Sequence, residues 1–235
     1  MNLLLLSNST NSGEAYLSYP KGYIKEFLGS TPVKALFIPY AAVTFTFDEY
    51  EQRVNERFHE IGHEVVSVHH FLDPVEAVRN ATAIVIGGGN TFHLLRHLQK
   101  NNLLEMIRKR VLEGIPYIGW SAGSNITCPT ICTTNDMPIV ETDGFKALNL
   151  VPFQINPHYT DFVPEGFGGE TRDQRITEFL AANPLVPVIG LREGTLLRYT
   201  DTCLTLVGPY PAKWFRYKQP AVELNSTDNL NILLS

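Results

Sequence analysis

Cysteine is scarce in this 235-residue chain and odd in number: Cys128, Cys132 and Cys203 are all it has. An odd count cannot close into a disulfide framework, and Cys128 and Cys132 are spaced too widely for a Cys-x-x-Cys redox pair. Both facts favour a reducing cytoplasm. No thiol sits at a nucleophile turn, so all three are expected to be buried and structural. Positive charge is also short, with 19 Lys and Arg against 24 Asp and Glu for a net charge of −5. That leaves no basic stripe for nucleic acid or anionic lipid. No apolar run is long enough to span a bilayer. The opening residues 1–7 lack the positive n-region of a secretory segment and read as a first buried strand. Repeats and low-complexity tracts are absent. What remains, 44% hydrophobic and 18% charged, suits one domain over residues 1–235 with a small molecule as partner.

Strand-like and helix-like runs alternate through the first half. Residues 3–7, 33–39, 65–68, 83–86 and 115–119 are short apolar runs, as strands buried on both faces should be. Residues 48–61 place Tyr50, Val54, Phe58 and Ile61 on one helical face, with Thr46 and Glu49 forming a capping box before them. Asp73-Pro74-Val75-Glu76 starts another helix, and residues 94–113 are helical with a break near Asn101-Asn102. The fold class expected is a doubly wound, mostly parallel α/β sheet flanked by helices. Residues 125–170 are rich in Thr, Asn, Pro and Gly, suggesting long functional loops. Thr171 and Gln174 cap a further helix. The runs 202–207, 214–217 and 221–224 suggest antiparallel strands at one sheet edge near the C-terminus.

Gly119-Trp120-Ser121-Ala122-Gly123 follows an apolar strand directly. A serine between two glycines at such a turn is held out from the backbone, open to a carbonyl substrate. Taken alone, the motif is equally an ordinary turn. A serine hydroxyl needs a base, and the base works best when a carboxylate fixes its tautomer. Of seven histidines only His158 follows the serine, in the run Phe153-Gln154-Ile155-Asn156-Pro157-His158-Tyr159 and just past an expected strand end. Two acids are candidates: Asp136, in a polar loop, and Glu193, after the strand-like residues 186–190. Spacing leaves the choice open. Gly87-Gly88-Gly89 runs from a strand into a helix and offers bare N–H groups to an oxyanion or a phosphate. It is neither Gly-x-Gly-x-x-Gly, since Phe92 takes the third place, nor a Gly-Lys-Ser/Thr phosphate loop. An oxyanion hole from Gly88 or Gly89 with Ala122 is the favoured reading.

Taken in order, residues 3–10, 87–92, 119–125, 133–140, 155–158 and 169–175 resemble the peptidase E family of α-aspartyl dipeptidases. The likeness runs to about residue 210, and the tail past Pro211 departs from the family pattern. It implies a cytoplasmic serine peptidase, flavodoxin-like or glutamine-amidotransferase-like in fold. Such an enzyme, needing no metal or cofactor, would remove N-terminal aspartate from Asp-X dipeptides as a monomer or homodimer. On this resemblance Ser121 is the nucleophile, His158 the base and Asp136 the preferred third member, with Glu193 as the alternative. Arg172 matches the aspartate-binding arginine, Arg175 is its nearby substitute, and Glu170 and Asn90 complete the expected substrate contacts. A cyanophycinase-like serine hydrolase and a non-catalytic anion-binding α/β domain are the competing readings. An esterase of the α/β-hydrolase order is disfavoured because no histidine follows Glu193.

Overall fold

The computed structural model describes residues 1–166 and 168–234. Five strands arise in the first half: β1 (Asn2–Leu6), β2 (Lys34–Ile38), β3 (Glu64–Ser67), β4 (Ile84–Ile86) and β5 (Pro116–Trp120). They lie parallel in the order β3-β2-β4-β5-β1. Helices α1 (Lys21–Leu28), α2 (Phe47–His59), α3 (Pro74–Asn80), α4 (Thr91–Lys100) and α5 (Leu104–Leu112) connect them.

The unbroken leucines of β1 have a simple cause. Leu3 and Leu5 face one way, packing with Ile38, Ile86, Leu94 and Leu98, while Leu4 and Leu6 face the other with Phe37, Val85, Val54 and Phe58. Both faces are covered, so alternation with polar residues disappears. Each such side chain contributes roughly 1.5–3 kcal/mol on burial. The caps fall where the sequence puts them. Thr46 and Glu49 form the reciprocal box at α2, Asp73 accepts from Val75 N and Glu76 N at α3, and Asn102, at φ 54°, breaks the run between α4 and α5.

The remaining α-helices and strands are α6 (Ala122–Asn125), β6 (Gln154–Tyr159), α7 (Arg172–Ala182), β7 (Val188–Arg192), β8 (Leu196–Thr200), β9 (Cys203–Val207), β10 (Ala212–Phe215) and β11 (Val222–Leu224). Here the structure corrects the expectation of C-terminal strands along one edge. β8 extends the main sheet antiparallel to β1 and β9 pairs antiparallel to β8, whereas β10 and β11 join a second sheet, β11-β10-β7-β6, in which β6 and β7 are parallel. The chain changes sheets at Gly208-Pro209-Tyr210-Pro211, where two prolines withhold ladder donors. One core holds the sheets together: Leu5, Ile86, Ile155, Ile189, Leu206 and Leu224 belong to a single apolar cluster.

The thiols also differ from expectation. Only Cys128 is buried, while Cys132 and Cys203 are exposed. Burial pushes the Cys128 thiol up to about 12, leaving almost no thiolate at neutral pH. A thiol reagent is therefore expected to modify Cys132 and Cys203 quickly in the native protein and Cys128 only after unfolding. Mass spectrometry of the labelled chain checks this, and fast native labelling of Cys128 would contradict it.

Candidate active site

Ser121 lies between the carboxyl end of β5 and the first residue of α6 with φ 53° and ψ −112°. A non-glycine residue in such a region costs about 1–3 kcal/mol and survives only where its surroundings hold it. They do so here. Ser121 N donates to Leu6 O at 3.1 Å, and Ser124 N and Asn125 N both donate to Ser121 O at 2.9 Å. The turn is sharp enough that Gly123 packs on the end of β4, where an added Cβ would stand 2.1 Å from Ile86 O. Only glycine fits there.

The partners of Ser121 come from the second sheet. Ser121 Oγ stands 2.9 Å from His158 Nε2, and His158 Nδ1 stands 2.6 Å from Glu193 Oε1. A carboxylate only accepts, so Nδ1 carries the proton and Nε2 is free to receive the serine proton. His158 falls inside β6, not past its end, at a register shift between Asn156 and Tyr159 and with φ 53°. That kink aims the ring at Ser121. Glu193 follows β7 directly. Ser7 and Asn8, at the end of β1, tie these parts together. Ser7 Oγ donates to Leu191 O at 2.6 Å and accepts from His158 N at 2.9 Å, while Asn8 Oδ1 accepts from Gly194 N at 2.9 Å.

The structure does not bring Asp136 to the histidine. Both ring nitrogens of His158 are already engaged, and Asp136 Oδ2 accepts instead from Thr91 N at 2.7 Å, Thr91 Oγ1 at 2.6 Å and Thr134 Oγ1 at 2.9 Å. The carboxylate caps the start of α4, where N–H groups are unpaired and negative charge is favoured. Asn90 is likewise occupied. Its Oδ1 accepts from His93 N at 3.0 Å, and its amide donates to Met137 O at 2.9 Å, pinning the 133–138 loop to α4.

Gly88 sits against the serine, close enough that a Cβ on it would be 3.1 Å from Ser121 Cβ. Among the described residues, the N–H groups of Gly88, Gly89 and Ala122 donate to no carbonyl, which leaves them free for an oxyanion. Gly89 has φ 132°, and a side chain there would strike Ala41 O at 2.2 Å. Tyr50 fixes this turn from behind: its hydroxyl donates to Gly88 O at 2.9 Å and accepts from Trp120 Nε1 at 3.1 Å. Burial holds the phenol up to about 12, so it stays a neutral donor. Ser7 and Asn8 were not singled out by the sequence, and Tyr50 only as a position on a buried helical face. Ser7 and Asn8 fall in the family-like stretch 3–10, the one signal that pointed toward them.

Past the end of β6, the strand that carries His158, an open cleft of about 350 Å³ is lined by Thr160, Asp161, Phe162, Glu170, Arg172 and Arg175, among others. Arg172 begins α7, behind the capping box of Thr171 and Gln174. The next residue anchors that helix: Asp173 accepts from Tyr159 Oη at 2.5 Å and from Lys213 Nζ at 2.8 Å. Arg172 Nη1 donates to Asn135 Oδ1, and Asn135 in turn donates to Pro157 O at 2.7 Å, just before His158. Burial, and then the neighbouring Arg175, lower the Arg172 guanidinium from its ordinary value. Among the described residues no carboxylate pairs with Arg172, whereas Arg175 lies 3.7 Å from the exposed Glu170.

A family model described as peptidase family S51 matches residues 3–207. The chain belongs to peptidase family S51. Peptidase E of a Nostoc species is 51% identical over 232 residues, covering 99% of this chain and 96% of the relative. Peptidase E of Escherichia coli is 47% identical over 226 residues, covering 96% and 98%. Two solved structures share the fold. A candidate peptidase E of Listeria monocytogenes superposes with TM-score 0.67 at 24% identity, covering 88% of this chain and 98% of the other. A peptidase from an acI-B1 actinobacterium gives 0.69 at 18% identity, covering 97% and 95%. The S51 chain is thus a serine-type peptidase with a mixed α/β fold.

Two substitutions separate the acids in this S51 site. Glu193→Gln should lower kcat at least about 100-fold with little loss of stability, because it removes the negative charge that stabilises the imidazolium and lets an amide N–H face Nδ1, which favours the wrong tautomer. Asp136→Asn should lower Tm and leave most of kcat. The reverse pattern, with both variants folded, would return the role to Asp136. Ser7→Ala leaves His158 N and Leu191 O without their shared partner and should lower both kcat and stability, the latter by about 1–3 kcal/mol; wild-type turnover and Tm would contradict it.

Proposed function

We propose that the chain is an α-aspartyl dipeptidase, hydrolysing Asp-X dipeptides through an acyl-enzyme on Ser121. Arg172 carries this reading. It is a half-buried cation at the start of α7, tied through Asn135 to Pro157 O, the residue before His158, and paired with no carboxylate among the described residues. A planar guanidinium so placed suits a substrate carboxylate, which it grips with two charge-assisted hydrogen bonds. Length selection follows from the free α-amino group, for which Glu170 on the cleft wall is the matching charge. The exposed thiols are consistent with a reducing cytoplasm. Among the described residues no helix is long and apolar enough to cross a membrane.

In this mechanism His158 Nε2 takes the Ser121 proton as Oγ attacks the aspartyl carbonyl. Glu193 stabilises the imidazolium, and the N–H groups of Gly88, Gly89 and Ala122 receive the oxyanion. The imidazolium then protonates the leaving amine, the C–N bond breaks and the aspartyl ester remains on Ser121. Water, deprotonated by the same nitrogen, attacks that ester; the C–O bond to Ser121 breaks, Oγ takes the proton back from the imidazolium, and aspartate leaves.

Release of free aspartate from Asp-Leu, with Glu-Leu and Leu-Leu alongside, tests the proposal. Asp-Leu should be cleaved alone, and Ser121→Ala should lose turnover by at least about 10⁴-fold. Arg172→Ala should lower kcat/KM for Asp-Leu by roughly 10²–10³-fold and erase the preference for aspartate. Equal cleavage of all three dipeptides by the wild type would reject the specificity. Undiminished activity of Ser121→Ala would reject the mechanism.

A further inference from the structure

A second cluster of chemistry-bearing side chains lies on the surface where α2 begins and β3 ends, and none of it touches Ser121, His158 or Glu193. Asp48, in the first turn of α2, places Oδ1 2.9 Å from His69 Nε2 and 3.7 Å from His70 Nε2. The two histidines belong to the 3₁₀ turn Val68–His70 directly after β3, and their ring centroids are 4.0 Å apart. One donor atom from each of these three residues lies within 4.8 Å of the other two.

The surroundings orient the donors. Ser67 Oγ stands 2.5 Å from His69 Nδ1, which leaves Nε2 facing Asp48. Phe47 packs on the His69 ring at 5.6 Å. Glu51 is held by Ser67 N at 2.7 Å through Oε1 and places Oε2 2.6 Å from His70 Nε2. An outer partner on the second imidazole nitrogen and a nearby carboxylate are the usual supports of a metal ligand set. Two donor atoms at ~2.1 Å from a tetrahedral ion stand about 3.4 Å apart. The observed separations of 2.9 and 3.7 Å bracket that value, so small side-chain rotations suffice.

We propose that Asp48, His69 and His70 form a surface site for a divalent transition-metal ion of the zinc class, with water or Glu51 in the fourth position. Two imidazoles and a carboxylate select this class over magnesium and calcium, which prefer oxygen donors throughout. The ion replaces the Nε2 protons that now bridge to carboxylates. By joining the start of α2 to the turn after β3 it stabilises that corner of the fold and takes no part in peptide hydrolysis.

The test titrates metal-free, untagged protein with zinc chloride by calorimetry and follows Tm with and without zinc. The expected result is one ion per chain with a Kd of about micromolar order and a raised Tm. His69→Ala and His70→Ala should each weaken binding at least about tenfold and remove the rise in Tm, while His158→Ala keeps both. Should an alanine variant fold poorly in chelator, His70→Gln provides the same comparison with the ring removed and the bulk retained. Absence of binding up to about 1 mM zinc overturns the proposal. So does binding that survives loss of His69 and His70, or that is lost with His158.

Discussion

The site depends on a seam between two sheets. Ser121 ends a strand of the main sheet, while His158 and Glu193 ride on neighbouring parallel strands of the second. A relative slide of even 1 Å would part Ser121 Oγ from His158 Nε2, and the proposed catalysis is sensitive to displacements of that size. Ser7 and Asn8 close the seam with three hydrogen bonds that reach Leu191 O, His158 N and Gly194 N. Two of these bonds are buried and the one to His158 N is partly so; breaking them leaves uncompensated polar groups, so the register they set is hard to lose. The shared apolar cluster beneath them supplies the bulk of the attraction between the sheets, but apolar packing is non-directional and cannot choose a register alone.

Strain at the serine makes the same point locally. Ser121 and His158, the two residues that exchange a proton in the proposed mechanism, both hold positive φ. Neither conformation would persist in an isolated segment. Glycines relieve the crowding around them, and Tyr50 and Trp120 buttress the adjoining turn from a fully buried position. The donors for an oxyanion are thereby fixed before any substrate arrives, which is what makes such donors effective.

Charge is distributed with equal economy around the cleft. Arg192 pairs with Asp161 and with both oxygens of Glu223, Lys213 pairs with Asp173, and Arg172 is left with an amide oxygen. The neighbouring cations are neutralised by acids of the fold, and in the proposed function this leaves Arg172 to meet the substrate carboxylate. The Asp48, His69 and His70 cluster lies outside this arrangement and is built from other elements, so the two regions can be perturbed independently.

By itself the sequence determined what depends on neighbours along the chain. The apolar runs of β1, β2, β4 and β5 report strands buried on both faces, Thr46 with Glu49 and Thr171 with Gln174 report helix starts, and Gly119 to Gly123 reports the serine turn, because period, cap and turn chemistry are local. Ser121 was a candidate on its turn alone, and His158 because no other histidine follows the serine, though its place inside β6 was not expected. The acid was not legible. Asp136 and Glu193 both lie in loops of suitable chemistry, and the choice rests on the parallel pairing of β6 with β7, which sets Glu193 beside His158, and on Thr91 and Thr134, which occupy Asp136. Exposure of Cys132 and Cys203 and the division of the C-terminal strands between two sheets were likewise settled by tertiary packing. Contacts between residues far apart in the chain are fixed by how whole elements fill space together, and no local pattern in the sequence records that outcome.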